Sequence, residues 1–217
     1  MTAVLTAKNV KDQEQPGYGY LDFMADCVLY LDQRVREQVN TKRLQVVKYR
    51  GSGYGGNEYP FIITDDGAHF IPITDMEMHF DSDFSRVSSG NAALDAFLGG
   101  GYQSGTAILI TGPTGTGKTC LGSTFARSAC GERQKVLYVS FEEDLDGVLA
   151  GMISLGIDLH PLIRDSVLQF MSVMPESRGV EEHLYRIITA IHRFGAQHVV
   201  IDAISACKRI AGESAAF

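Results

Sequence analysis

The sequence predicts an α/β protein in which a parallel sheet is covered by helices on both faces. From residue 107 onward, short apolar runs suited to buried strands alternate with helical stretches, which is typical of parallel sheets. A glycine-rich loop at 112–117 separates the first of these runs from the first long helical stretch. The chain before residue 74 differs, because no useful helix fits between its strand-like runs.

The elements of this α/β part can be placed from residue type and spacing. A short helix is predicted at Leu94–Leu98, before a run of three glycines. Strands and longer helices then follow in turn. The strands are predicted at 107–111, 135–141, 167–173 and 198–203, and the helices at 118–130, 144–155 and 180–194. Few residues follow the last strand, so we expect the sheet to be incomplete at its C-terminal end.

The first part of the chain is predicted to be rich in strands. Residues 28–31 and 44–49 are β-rich runs, and residues 59–64 and 68–73 flank Asp65-Asp66-Gly67, a strong hairpin signal. The polar segment 75–86 is predicted to be a linker. We therefore predict two partial modules, a β-rich one at 1–80 and an α/β one at 81–217.

Composition limits the classes of function. The chain has 217 residues, 45% hydrophobic and 21% charged, as in soluble globular proteins. A net charge of −7 argues against general nucleic-acid coating, which needs a basic surface. No run is long enough to span a membrane, and the N-terminus lacks the pattern of a signal peptide. The four scattered cysteines predict neither zinc nor disulfides. We expect a cytoplasmic protein.

The run Gly112-Pro113-Thr114-Gly115-Thr116-Gly117-Lys118-Thr119 fits G-x-x-x-x-G-K-[ST], the phosphate-binding P-loop. Its backbone N–H groups can point inward at an anion. Lys118 can reach the β- and γ-phosphates, and the Thr119 hydroxyl can ligate Mg²⁺. The predicted order of strand, loop and helix supports the motif. The predicted nucleotide contacts in this region are Gly112, Thr114, Gly115, Thr116, Gly117, Lys118, Thr119 and Cys120.

Acidic residues follow two of the predicted strands. Asp202 ends the apolar run 198–201, as the second nucleotide motif requires, and would hold Mg²⁺ beside Thr119. It could also merely terminate a strand. Glu142 and Glu143 follow the strand at 135–141, where they could orient and deprotonate an attacking water or hydroxyl. Alternatively, they are first-turn acids favoured by the helix dipole.

Residues 34–50 carry six basic side chains and one acid. Lys48 and Arg50 share one face of a strand, because side chains alternate along it. Arg50 precedes a flexible glycine-rich loop and could reach a phosphate in a neighbouring subunit as an arginine finger. The alternative is a solvated basic edge strand, and spacing alone favours it.

Together these residues resemble the KaiC family of RecA-like ATPases, named for a circadian-clock kinase. The resemblance covers nearly the whole chain and is far more specific than the P-loop alone. It rests on Arg86-Val87-Ser88-Ser89-Gly90, Leu94-Asp95, Gly99-Gly100-Gly101, the P-loop, Phe141-Glu142-Glu143, Val200-Ile201-Asp202, Val46-Val47-Lys48-Tyr49-Arg50-Gly51 and the hairpin at 59–73.

The resemblance implies that the chain spans the end of a first family domain and the start of a second. It implies that Glu142 and Glu143 are the family's catalytic glutamates, with Glu142 as general base. It also implies that Lys48 and Arg50 reach a neighbouring subunit's nucleotide in a hexameric ring. ATP and Mg²⁺ are the implied cofactors, and clock or signalling proteins are possible partners.

The sequence thus predicts a KaiC-like ATPase that binds Mg-ATP, hydrolyses it and, in its intact form, transfers the γ-phosphate to its own Ser or Thr. Two alternatives remain open. One is a RecA or helicase-type ATPase acting on single-stranded DNA, although the acidic balance gives it no support. The other is a non-catalytic assembly or partner-binding module.

Overall fold

The computed structural model of the protein describes residues 2–8, 23–36, 39–71 and 85–206. They fall into two units, and each is described by itself. The first unit lies within Met1–Arg34 and Lys42–Phe70, and the second within Val35–Thr41 and Ile71–Phe217. The predicted boundary at residues 80 and 81 and most of the predicted linker at 75–86 lie outside the described residues.

The strand-rich part of the chain forms a four-stranded sheet in the order β1-β2-β3-β4. Its last two strands form the predicted hairpin, in which Thr64 lies opposite Gly67 across the two-residue turn. Gly67 has a φ of +115°, which a residue with a Cβ rarely adopts. No helix lies in 40–71, as predicted, and residues 72 and 73 of the predicted second strand are outside the described residues. The strands are β1 (Cys27–Arg36), β2 (Val39–Tyr49), β3 (Glu58–Thr64) and β4 (Gly67–Phe70).

In the second unit, the described residues from 85 onward begin with a small hairpin that encloses a helix. Strands β5 (Arg86–Val87) and β6 (Tyr102–Gln103) pair antiparallel around α1 (Ala92–Phe97). The side chain of Asn91 caps α1 by accepting hydrogen bonds from the N–H groups of residues 93 and 94. Asp95 accepts hydrogen bonds from the Ser88 hydroxyl at 2.6 Å and the Ser89 N–H at 2.8 Å. The residues around Ser88, Ser89 and Asp95, which belong to the motifs shared with the family, therefore form a turn that is closed by its own hydrogen bonds.

Gly90 is where this turn meets the following long helix. Its φ is +83°, and a Cβ at this position would lie 2.5 Å from the carbonyl oxygen of Thr124. We expect Gly90→Ala to lower the free energy of unfolding by more than about 2 kcal/mol, because left-handed strain of about 1–2 kcal/mol adds to the clash. Gly99→Ala is the matched control, with φ of +71° and open space around it. Equal losses in denaturant unfolding would contradict the packing role of Gly90.

A three-stranded parallel sheet in the order β8-β7-β9 forms the centre of the second unit. Its strands lie within the runs predicted from the sequence, and the three long helices begin and end within one residue of prediction. The short helix α4 was not predicted. The elements are α2 (Lys118–Gly131), β7 (Val136–Ser140), α3 (Leu145–Ser154), α4 (His160–Arg164), β8 (Leu168–Ser172), α5 (Val180–Phe194) and β9 (His198–Asp202).

Both faces of this sheet are covered by helices, as the sequence predicted. On one face, Val136 and Tyr138 pack with buried residues of α2 and α3, including Ala126 and Met152. On the other face, Leu137, Val139 and Phe141 pack with residues of α5. The central strand β7 is buried along its whole length. Alternate residues of β7 therefore enter two separate cores, which explains its continuous apolar sequence.

The strand predicted at 107–111 is wrong, because these residues have no regular secondary structure. Leu109 is 75% exposed, and Ile108 is 48% exposed. Among the described strands, β9 pairs only with β7. A β-branched apolar run supplies local preference for a strand, but a strand exists only where a neighbour pairs its backbone groups. The sequence pattern could not show that this pairing is missing.

Within the part of the chain that the structure describes, no helix is both long and apolar enough to cross a membrane.

Candidate functional site

The loop at 112–117 has the backbone geometry expected of an anion cradle. Gly115 and Gly117 have φ angles of +82° and +90°, in the left-handed region that favours glycine. A Cβ on Gly112 would lie 2.7 Å from the Thr116 hydroxyl oxygen. That hydroxyl donates a 2.8 Å hydrogen bond to the carbonyl of Pro113. The loop therefore turns back on itself, and glycine at 112 leaves room for the turn.

Helix α2 begins directly at the end of this loop. Its N-cap is Gly117, which makes no side-chain capping bond. The first N–H groups of a helix have no partner within the helix, and together with the helix dipole they favour an anion. Without a capping side chain, these donors have no side-chain partner at the N-cap, where the loop ends. This geometry suits a phosphate.

Lys118 lies across the loop rather than away from it. Its ammonium group donates hydrogen bonds to the carbonyl oxygens of Gly112 at 2.9 Å and Pro113 at 2.8 Å. The positive charge therefore lies against the first two residues of the loop. Thr114 is exposed at the loop tip, and Thr119 and Cys120 follow in the first turn of α2, where both are half-buried.

Asp202 ends β9 on the sheet face that α2 covers. It lies opposite Ser140 in the parallel register, and its carbonyl accepts a 2.7 Å hydrogen bond from the N–H of Phe141. Its carboxylate accepts a 3.1 Å hydrogen bond from the hydroxyl of Tyr138, which belongs to the core beneath α2. The structure therefore brings Asp202 beside the residue that precedes Glu142, at the carboxyl edge of the sheet.

Three consecutive acids follow β7, and the structure gives them different surroundings. Asp144 is the N-cap of α3, since its side chain accepts a hydrogen bond from the Gly147 N–H. The Glu143 N–H donates to the Ser140 hydroxyl, and a Cβ on Gly147 would lie 3.6 Å from the Glu143 carboxylate. Glu142 is exposed and makes no hydrogen bond or ion pair to other described residues. The capping role thus belongs to Asp144, which leaves the Glu142 carboxylate available.

An open cleft of about 660 Å³ lies at the carboxyl ends of β7 and β8. In parallel α/β sheets, this edge is where ligands bind. All three acids that follow β7 line it, so the cleft carries negative charge. The other lining residues are Phe141, Ser172, Val173, Met174, Pro175 and Glu176.

Lys48 and Arg50 belong to the first unit, so the structure describes them apart from the loop. The Lys48 ammonium donates a 2.9 Å hydrogen bond to the Phe23 carbonyl. The Arg50 guanidinium pairs with Asp26 at 3.1 Å, and both of these side chains are more than half exposed. An exposed pair of this kind is worth about 0–1 kcal/mol, so Arg50 can leave it at little cost. Its role toward a neighbouring subunit stays a prediction.

Tyr138 is a site residue that sequence reasoning missed. It is fully buried in β7, and its hydroxyl contacts Asp202. Burial, followed by the charge of Asp202, raises the pKa of Tyr138, so the hydroxyl keeps its proton and acts as the donor. A tyrosine inside a buried strand needs a polar partner for its hydroxyl, and that signal was present in the sequence.

Comparison with known proteins identifies the family. The family model described as the KaiC ATPase matches residues 1–75 and 87–216. The chain belongs to the KaiC ATPase family. The circadian clock protein KaiC2 of Synechocystis is 37% identical over 94% of this chain. The circadian clock oscillator protein KaiC of Synechococcus elongatus is 34% identical over 96% of it, and that of Acaryochloris marina is 35% identical over 96%.

The chain spans 36–40% of the length of these KaiC relatives. The P-loop and the α/β fold agree with membership of this family.

The residues around the loop suit a magnesium nucleotide, although the donor set is small. In 2–8, 23–36, 39–71 and 85–206 the structure has no cluster of three or more His, Cys, Asp or Glu residues able to cage a metal. Magnesium at phosphate sites needs only one or two protein oxygens, because substrate phosphates and water supply the rest. A hydroxyl at Thr119 and a carboxylate at Asp202 fit this pattern.

Proposed function

We propose that this protein binds Mg-ATP at residues 112–120 and hydrolyses it. The observation that carries the proposal is the 2.7 Å hydrogen bond from the Phe141 N–H to the Asp202 carbonyl. This bond joins the strand end that leads into Glu142 to the strand end that carries Asp202. Membership of the KaiC ATPase family supports the same conclusion.

Residues 112–120 and Asp202 each contribute to the binding of ATP or magnesium. The main chain at Gly112, Thr114, Gly115, Thr116, Gly117 and Cys120 surrounds the phosphates. Lys118 exchanges its two carbonyl acceptors for the β- and γ-phosphate oxygens. Thr119 and Asp202 hold Mg²⁺, which when bound neutralises charge on these oxygens. Little covalent chemistry is left to the protein, because positioning and electrostatics lower most of the barrier.

Glu142 is proposed as the general base. Its carboxylate takes a proton from an attacking water as the water oxygen bonds to the γ-phosphorus. The bond between the γ-phosphorus and the bridging oxygen breaks, and the electron pair leaves with ADP. With a Ser or Thr hydroxyl in place of water, the same proton transfer would give a phosphoprotein, which is the kinase reaction of the proposal. Glu143, which also lines the cleft, helps Glu142 to orient the attacking water.

The test of this function is direct measurement. We expect the purified protein to bind ATP in a magnesium-dependent way and to release phosphate, without stimulation by single-stranded DNA. Stimulation by DNA that weakens with salt would favour the recombination-type alternative instead. Absence of turnover, with ATP bound or not, would favour the non-catalytic module.

From the family we further propose a homo-hexameric ring with clock or signalling proteins as partners, and action at neighbouring sites by Lys48 and Arg50. We expect Arg50→Ala to slow hydrolysis by about 1,000-fold in rings, at the lower end for an arginine finger, and to leave monomers unaffected. Arg34→Ala is the matched control, because Arg34 pairs with Asp32 and Glu58.

Mixed rings separate action in trans from action within one subunit. Subunits carrying Lys118→Ala keep Arg50, and subunits carrying Arg50→Ala keep an intact loop. We expect the mixture to recover hydrolysis that neither variant has alone. No recovery in rings shown to be mixed would contradict the trans role.

A further inference from the structure

Tyr138 lies where strands β7 and β9 and helix α2 come together, at the proposed metal site. It lies in the middle of β7 with no exposed surface, and its hydroxyl donates a 3.1 Å hydrogen bond to Oδ2 of Asp202 on β9. An ionised carboxylate has no proton to donate, so the phenol O–H is the donor to Asp202. The hydrogen bond therefore has one direction, from the phenol to the carboxylate.

The position of the Tyr138 ring is fixed by packing on two sides. Phe170 of β8 stacks on it, with ring centroids 5.2 Å apart and an interplanar angle of 14°. On α2, a Cβ at Gly122 would lie 3.7 Å from the Tyr138 hydroxyl and 3.1 Å from Val200 Cγ1. Glycine at 122 thus lets the first turns of α2 approach the strands that carry Tyr138 and Asp202. Stacking on Phe170 and burial in the core therefore restrict the movement of the phenol.

We propose that Tyr138 is a positioning residue for the magnesium ligand Asp202. By occupying Oδ2, the phenol holds the carboxylate in one rotamer and leaves Oδ1 for the metal or its water. Groups bonded behind a metal ligand orient it in this way in many metal sites, and their loss costs about 10–100-fold in metal affinity. This inference rests on the proposed function, since it assumes a metal nucleotide at the loop.

The test compares the wild-type protein with Tyr138→Phe, which keeps the ring stacked on Phe170 and removes one oxygen. Mn²⁺ is the probe, and its affinity for the protein–ADP complex is measured by electron paramagnetic resonance. We expect about 10-fold weaker Mn²⁺ binding, in line with the loss of an orienting group. ADP affinity measured in a chelator should change less than about 2-fold, because phosphate contacts do not involve the phenol.

Two controls separate positioning from general damage. Tyr102→Phe removes a hydroxyl from another tyrosine that packs on α2, through the ring of Phe125, and should leave Mn²⁺ affinity unchanged. In an Asp202→Asn background, Tyr138→Phe should cause no further loss, because the carboxylate it orients is gone. An equal loss in that background, or Mn²⁺ affinity unchanged by Tyr138→Phe alone, would overturn the proposal.

A second readout uses the wild-type protein alone and holds even if the variant does not fold. The sequence has nine tyrosines and no tryptophan, so its near-ultraviolet difference spectrum reports tyrosine. Adding Mg²⁺ to the ADP complex should produce a tyrosine difference band as Asp202 engages the metal. A complex that binds ADP and Mg²⁺ without this band would overturn the role of Tyr138 while the proposed function stands. A protein that binds no nucleotide would overturn the proposed function itself.

Discussion

Lys118→Ala is expected to weaken ATP binding by about two orders of magnitude and to abolish measurable hydrolysis. Removing one charged partner of a close pair costs about 2–5 kcal/mol, and 1.4 kcal/mol is a tenfold change in affinity. The side chain already lies over the loop, at 2.9 Å and 2.8 Å from the carbonyl oxygens of Gly112 and Pro113. Its charge therefore lies at the loop that is proposed to bind the phosphates. Equilibrium titration with a fluorescent ATP analogue measures the change.

Lys135→Ala is the matched control for this variant. Lys135 lies at the other end of β7, where its ammonium donates to the Phe194 carbonyl and lies over the ring of that residue. We expect ATP affinity to be unchanged in this variant. Lys118→Ala protein that keeps its thermal midpoint and still binds ATP as tightly as the wild type would contradict the phosphate-binding role of the loop.

Glu142→Gln is expected to slow hydrolysis by about 100- to 10,000-fold while ATP affinity changes less than about 3-fold. The amide keeps the size of the side chain but cannot accept the proton of the attacking water, and general-base catalysis contributes a factor of this size. Glu142 differs from the cap residue Asp144 in its surroundings. Asp144 is used as the cap of α3, and the Glu142 carboxylate has no partner among the described residues.

Three variants compared in single-turnover assays test the role of Glu142. Glu143→Gln should have a smaller effect than Glu142→Gln. Asp146→Asn changes another acid in the first turn of α3 and should have none. Hydrolysis unchanged by Glu142→Gln, or lowered equally by Asp146→Asn, would argue that these acids act only through the helix dipole.

The contrast between residues 107–111 and 198–202 explains where sequence reasoning succeeds for this fold. Each contains at least three consecutive apolar residues, and both lie in segments predicted to be strands. Only the second is a strand, because β7 pairs with it along its whole length. Residue type sets a preference for extended structure, whereas pairing depends on which other segment lies alongside. The three long helices were predicted to within one residue, and their hydrogen bonds are internal.

For the candidate site, the residues whose chemistry is carried by a local pattern were identifiable. The P-loop spacing, which covers eight positions, identified Gly112, Gly117 and Lys118 in the sequence. The loop has positive φ angles at Gly115 and Gly117, as expected for a glycine-rich turn. Which of the acids after β7 caps α3 could not be decided from spacing, because Glu142, Glu143 and Asp144 are consecutive. The decision needed the capping bond to Gly147, which depends on the backbone in three dimensions.

The sequence by itself was enough to show the spacing of a P-loop, an α/β fold and a resemblance to the KaiC family, because short-range spacing, alternation and local motifs carry that information. Only the tertiary structure decided that the Tyr138 hydroxyl donates a hydrogen bond to the Asp202 carboxylate, a contact between residues 64 positions apart. It also decided that Gly90 is where the preceding turn packs on α2. Contacts of this kind form when separate elements pack together, and their geometry cannot be obtained from either segment alone.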